Sequence, residues 1–230
     1  VRVLGLDTAT AIASVGLASD SALIIERHRP VGSSHARCIL PLIDEVLRAA
    51  ELRLGALDLL AVSIGPGSFT GLRIGLATIK GLALGCGLPV VGVPTLQAYA
   101  AALGPRPGTV WPVLDARKGE VYAAGYRWSG EHLEELAPPA AMAPASLAAL
   151  LTSPCTLVGD GVDAYGEVWP SDEGFDRRTL AACPPNGAVV ARLGAVLSPL
   201  APGDLEPRYC RPSEAEVRRR QVVATAVCTR

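Results

Sequence analysis

The order of short apolar runs, which occurs twice, most limits the folds open to this chain. Val1 to Leu6 is an apolar run ending in Asp7. Ala13 to Ala18 and Ala22 to Arg27 follow on either side of Ser19-Asp20-Ser21, the spacing of an antiparallel meander. A helix capped by Ser33 or Ser34 is expected next, with Ile39, Ile43, Val46, Leu47 and Ala50 at helical spacing and Pro41 near its first turn. Leu59 to Ile64 reads as a strand, the glycine-rich run after it as a helix, Pro89 to Val93 as a strand and Pro94 to Leu103 as a helix. Gly104-Pro105-Arg106-Pro107-Gly108 reads as a linker. The order then restarts. Val110 to Leu114 is a strand ending in Asp115, Glu120 to Trp128 and Glu131 to Ala137 are strands, Pro144 to Leu151 is a helix, Thr156 to Val158 a strand and Ala188 to Leu197 a helix. The stretch from Asp160 to Pro185 carries no clear periodicity. Two meanders, each followed by α/β crossovers, imply an α/β protein of two lobes, each a mixed sheet flanked by helices, duplicated in organisation rather than in residues. The expected division is a first lobe at 1–104, a smaller second lobe at 105–212 whose last helix packs back on the first, and a tail at 213–230 that need not be ordered.

Half the residues are apolar and only 4% aromatic, so the core is aliphatic; the net charge of -1 marks neither a nucleic-acid binder nor a membrane-surface protein. Gly81 to Pro105 and Leu136 to Gly159 carry no charge. Gly85, Gly87, Pro89, Gly92 and Pro94 break the first, and Pro138, Pro139, Pro144 and Pro154 the second, so no membrane span is expected. The chain opens directly on a strand, and its six cysteines form no C-x-x-C. Reduced thiols and a cytoplasmic location are therefore expected.

The run Gly65-Pro66-Gly67-Ser68-Phe69-Thr70-Gly71-Leu72-Arg73-Ile74-Gly75, continuing to Lys80-Gly81, is unusual because each glycine inside a helix costs about 1 kcal/mol relative to alanine. Gly71, Gly75, Thr78, Leu82 and Gly85 share one stripe; Leu72, Leu76, Ile79 and Ala83 form an apolar face beside it. A face this smooth lets a second backbone approach closely, either from the chain's own sheet or from a partner's helix. A Walker loop is excluded, since five residues separate Gly65 from Gly71 and Leu72 stands where the lysine belongs. Gly67 makes a turn and Ser68 caps the helix.

Several strings together resemble the TsaB family of the actin-like, sugar-kinase and Hsp70 superfamily. They are Val3-Leu4-Gly5-Leu6-Asp7-Thr8-Ala9-Thr10, Gly65 to Gly75, Gly92-Val93-Pro94-Thr95-Leu96, Asp115-Ala116-Arg117-Lys118-Gly119-Glu120-Val121-Tyr122 and Tyr209-Cys210-Arg211. The resemblance covers most of residues 1–122 and thins afterwards; the family's leucine in the last string is Cys210 here. It implies two actin-like (RNase H-like) lobes. It also implies a non-catalytic subunit that binds a TsaD-type catalytic subunit, working with a TsaE-type ATPase to transfer a threonylcarbamoyl group to the adenosine beside the anticodon of tRNA. tRNA would be met indirectly through the complex, and a homodimer would form when the partner is absent. The family pairs through helices of the first lobe, here Ser34 to Ala50 and the helix from Ser68. The implied interface residues are Ser34, His35, Ile39, Ile43, Gly67, Ser68, Phe69, Thr70, Leu72, Arg73, Gly75 and Leu76. A bulky residue at Gly75 is expected to weaken partner binding and spare the fold.

A TsaD-type metal site needs two histidines one helical turn apart. Thr95 and Tyr99 stand at the matching positions, and His28, His35 and His132 have no ligand spacing, so no metal is expected. His35 reads as a neutral, hydrogen-bonded surface or interface residue. Asp7, Thr8 and Asp115 match the nucleotide-handling loops of superfamily ATPases. Arg117 and Lys118 replace the glycines that let backbone approach phosphate, so an eroded nucleotide cleft is expected. No cofactor is required of this chain, with ATP or ADP expected, if anywhere, at the junction with the partner. Arg208, Arg211, Arg218, Arg219, Arg220 and Arg230, mixed with Glu214 and Glu216, read as a solvated tail. The rival readings are an ATP-dependent small-molecule kinase, a metal-dependent peptidase and a direct RNA-binding module.

Overall fold

A computed structural model describes residues 1–20, 22–31 and 35–211. The first half runs β1 (Arg2–Asp7), β2 (Ile12–Ser19), β3 (Ala22–Pro30), α1 (His35–Ala49), β4 (Leu59–Ser63), α2 (Phe69–Cys86), β5 (Val90–Val93) and α3 (Thr95–Ala102). The second runs β6 (Thr109–Arg117), β7 (Glu120–Ser129), β8 (His132–Met142), α4 (Pro144–Ala148), β9 (Cys155–Val158), α5 (Asp160–Ala164), β10 (Phe175–Arg178) and α6 (Gly187–Gly194). The two five-stranded sheets are ordered β3-β2-β1-β4-β5 and β8-β7-β6-β9-β10. In each, the first three strands pair antiparallel and the last two join in parallel, so the duplication of organisation is a duplication of topology.

Strand alternation decides which helices cover which face. Leu4, Leu6, Val15, Leu17, Leu60 and Val62 point to one side of the first sheet and meet Ile39, Leu42, Ile43 and Val46 of α1 and Leu72, Leu76 and Ile79 of α2. Val3, Leu59, Ala61, Val91 and Val93 point to the other, against Ala98 and Ala101 of α3 and Val189, Val190 and Ala191 of α6. Thus α6, the last helix of the second half, rests on the first sheet. Through Leu96, Tyr99 and Ala100, α3 also packs on Val110, Leu114, Ala124 and Tyr126 of the second sheet. This helix is the shared wall between the lobes. The outer face of the second sheet is closed by Leu147 of α4, Val162 of α5 and Trp169.

Several elements differ from expectation. β8 continues past Ala137 through Pro138 and Pro139, which an edge strand tolerates because its outer amides need no ladder partner. α4 stops at Ala148, and the unassigned stretch holds α5 and β10, five and four residues long, too short to show a period. Pro41 lies in the second turn of α1, on its exposed side. Among the described residues, α2 is the one helix long and apolar enough to cross a membrane, with mean hydropathy 1.2; its apolar face is taken up by the first sheet. Ser33, Ser34 and the basic tail beyond Arg211 lie outside the described residues.

Candidate functional site

The loops leaving β1, β4 and β6 meet the first turn of α5 around an open cleft of about 570 Å³ between the lobes, lined among others by Thr10, Gly67, Thr70, Asp115, Asp160 and Arg211. The parallel strands β1, β4, β6 and β9 all end here, which is where open α/β sheets leave a crevice.

Asp7 and Thr8 do not reach this cleft. Both are fully buried. The Asp7 carboxylate accepts hydrogen bonds from the Ser63 hydroxyl at 2.7 Å and the Ala9 amide at 2.9 Å. The Thr8 hydroxyl donates to the Gly71 carbonyl at 2.9 Å and fills the space beside Gly75. Their expected place in nucleotide binding is therefore corrected: both are used up inside the first lobe, Asp7 in fixing the end of β1 and Thr8 in seating α2.

Burial pushes the Asp7 carboxyl above its ordinary 3.8, its two hydrogen bonds pull it back, and the charge of Glu26 on β3 adds to the rise; the Tyr99 hydroxyl of α3 is held far above its own ordinary value, chiefly by burial and then by Asp7. The fold thus favours the neutral acid. The stability this contributes is complete below pH 3.8 and is lost as pH rises through the raised value. In Asp7→Asn the amide stays neutral and the Ser63 hydroxyl can turn to accept. The urea midpoint of the variant, relative to the unaltered chain, is expected to improve as pH rises above the ordinary carboxyl value of 3.8. A difference that stays constant from acid to neutral pH would contradict a buried, titrating Asp7.

Asp115 does line the cleft. It accepts from the Arg117 amide at 2.8 Å and the Tyr165 hydroxyl at 3.1 Å, and pairs with the Arg117 guanidinium at 3.1 Å. Opposite it, Asp160 accepts from the Asp115 amide at 2.8 Å. Burial pushes the Asp160 carboxyl up, against the pull of that amide. Asp160 was not singled out from the sequence, yet a signal exists: it follows a strand and sits between Gly159, at φ 128°, and Gly161, packed against Val113. This is the strand-end aspartate of β1 and β6 in a third place. Arg211 pairs with Glu120 at 2.6 Å. The charged pairs of the cleft wall are thus satisfied within the chain, and among the described residues no histidine or cysteine lines it.

The two positions matching a metal-binding helix are also internal. The Thr95 hydroxyl accepts from the Gly65 amide at 3.0 Å, and Tyr99 is buried beneath the cleft. His28 pairs with Glu26 at 3.5 Å, and His132 opens β8.

The second candidate surface is the outer side of α1 and α2, which lie next to each other on the first sheet. Ser68 caps α2, accepting from the Gly71 amide at 3.2 Å, while its own amide donates to the Ala9 carbonyl at 2.7 Å; Gly67 backs onto Ala9. Phe69, Thr70 and Arg73 are exposed, with the Arg73 guanidinium 4.0 Å from the centre of the Phe69 ring. Ile39, Ile43, Leu72 and Leu76 are corrected as interface residues, because they are core residues of this chain that face its own sheet. Gly75 is corrected too: a Cβ there would overlap the Thr8 hydroxyl, so bulk would disturb the fold first. His35 opens α1, and Ser34 lies outside the described residues. What faces solvent is Arg37, Leu40, Pro41, Asp44 and Arg48 on α1 and Thr70, Arg73, Ala77, Gly81 and Leu84 on α2. Leu40 is 52% and Leu84 73% exposed, while Gly81 and Gly85 have open space where a side chain would stand.

A family model described as TsaD, tRNA N6-adenosine threonylcarbamoyltransferase, matches residues 28–162. The tRNA threonylcarbamoyladenosine biosynthesis protein TsaB of Escherichia coli K12 is 38% identical over 148 residues, which cover 60% of this chain and 63% of that protein. The TsaB of Bacillus subtilis is 29% identical over 138 residues, 60% of each chain, so the match spans about three fifths of the length of these curated relatives. Among solved structures, YeaZ from Pseudomonas aeruginosa superposes with a TM-score of 0.76 at 26% identity, covering 90% of this chain and 99% of that one.

Proposed function

This chain belongs to the TsaB family within the group matched by the TsaD model, and from that premise we propose that it is a non-catalytic subunit which docks a TsaD-type catalytic subunit through the outer face of α1 and α2. The observation that carries the reading is Gly81. It lies well inside α2, where glycine costs about 1 kcal/mol relative to alanine. Gly71 and Gly75 earn no such question, since the Thr8 loop lies against them, but among the described residues nothing lies where a Cβ on Gly81 or Gly85 would stand. A stretch of α2 kept bare one turn from exposed Leu84, on the side of the first sheet that also carries α1 with its exposed Leu40, suits the close approach of another helix.

The reaction served is threonylcarbamoyl transfer to the adenosine beside the anticodon, with a TsaE-type ATPase as a further component and tRNA met through the assembly. The cleft supports a subunit without its own chemistry, because Asp115 is held by Arg117 and Tyr165 instead of being free to act as a base. No cofactor is needed by this chain, and any ATP or ADP sits at the junction with the partner. Reconstitution by omission tests the reading. With the TsaD-type and TsaE-type proteins, donor and tRNA present, leaving out this chain is expected to lower product formation by about tenfold or more, and this chain alone is expected to form none. Full activity without it would overturn the proposal.

A further inference from the structure

A short segment beyond both sheets crosses from one lobe to the other at the mouth of the cleft. Leu205 is buried in the core of the first lobe. The Arg208 amide donates to the Ile64 carbonyl at 2.7 Å, and the Arg208 carbonyl lies where a Cβ on Gly65, at φ 117°, would stand. Tyr209 stacks on Phe69 with ring centres 5.1 Å apart, and its hydroxyl accepts from the Arg73 guanidinium at 3.1 Å. Two residues later Arg211 reaches the other lobe. It donates to the Glu120 carboxylate at 2.6 Å and to the Ala116 carbonyl at 3.3 Å. Ala116 and Glu120 bracket the tight β6–β7 turn, whose Arg117, Lys118 and Gly119 all have positive φ.

We propose that residues 205–211 are a strap across the cleft, anchored on the first turn of α2 through Tyr209 and clasped on the second lobe by Arg211 on Glu120, so that the two ends loosen together. On the first lobe the segment is held by buried Leu205, by the Arg208 amide on Ile64 and by partly buried Tyr209 on Phe69 and Arg73; on the second lobe the clasp is a single, partly exposed ion pair, which contributes little to global stability and weakens with salt. That asymmetry suits a fastening that opens locally while the lobes stay folded. Its bearing on docking rests on the reading above, because Phe69 and Arg73 stand at the edge of that face; the strap itself is a property of this chain and is tested without a partner.

Amide hydrogen exchange on the full chain reads both ends. Arg211→Ala and Glu120→Gln are expected to speed exchange by about fivefold at residues 116–121 and also at 69–73, leaving β1 and β4 protected. Arg211→Lys, which keeps the charge but not the second contact, is expected to fall between. Tyr209→Ala, which leaves the clasp residues in place, is expected to speed exchange at 116–121. Unchanged exchange at 69–73 in both Arg211 variants, or at 116–121 in Tyr209→Ala, would overturn the coupling. Loss of the fold in Arg211→Lys would make the segment core and overturn the strap as well.

Discussion

Gly16→Val is expected to destabilise the chain by about 3 kcal/mol or more, the upper range for forcing atoms into a filled interior. Gly16 and Gly5 are cross-strand partners on β2 and β1, and together they strip one patch of the first sheet to its backbone. The first turn of α6 lies directly on that patch. A Cβ on Gly16 would overlap the Ala188 amide, one on Gly5 the Gly187 carbonyl, and one on Gly187 would come within 2.5 Å of the Gly16 amide. The close approach also closes hydrogen bonds. The Gly187 amide donates to the Ser14 hydroxyl at 2.9 Å and the Ala188 amide to the Glu26 carboxylate at 3.0 Å, satisfying the donors a helix start leaves open. Valine would lift the helix, break both bonds and open the face holding Val189, Val190 and Ala191. Urea unfolding followed by circular dichroism measures the loss. Gly55→Ala is the control, since among the described residues nothing lies where a Cβ on Gly55 would stand; a change within about 0.5 kcal/mol is expected there. A loss below about 1 kcal/mol in Gly16→Val would mean that α6 is not seated as described.

The second large effect is on association. Leu40→Asp combined with Gly81→Arg is expected to weaken binding of the TsaD-type subunit by about 2 kcal/mol or more, some thirtyfold, the scale of losing central contacts in an interface. The fold gives an opposite and independent signal. Leu40 is solvent-exposed, and a side chain at Gly81 enters open space. Removing a glycine from a helix interior gains up to about 1 kcal/mol. Melting at an unchanged or slightly higher temperature together with lost binding is therefore the signature. Gly75→Val should do the reverse, unfolding the chain because Thr8 occupies the space.

The two lobes were legible because strand order follows from local cues, and the N-cap Ser68 followed from its own side chain. The division between core residues and solvent-facing residues of α1 and α2 was not legible. An apolar residue at helical spacing suits a sheet or a partner equally, so Ile39 and Leu72 looked like interface until the first sheet was seen beneath them. The glycine stripe misled in the same way. It runs unbroken in sequence, yet Gly71 and Gly75 serve the Thr8 loop, whereas Gly81 and Gly85 face open space. Asp160 escaped notice because α5 is too short to show a period, although its flanking glycines mark it. Asp7 was recognised as a strand-end carboxylate, but only the Ser63 and Ala9 contacts reveal that it is spent inside the lobe.

Sedimentation velocity on this chain mixed with the TsaD-type subunit tests the docking face most directly. The result expected is a heavier boundary for the unaltered chain, and two separate boundaries when Leu40→Asp and Gly81→Arg are introduced into a chain that still melts normally. Equal co-sedimentation of the altered and unaltered chains would contradict docking through the outer face of α1 and α2.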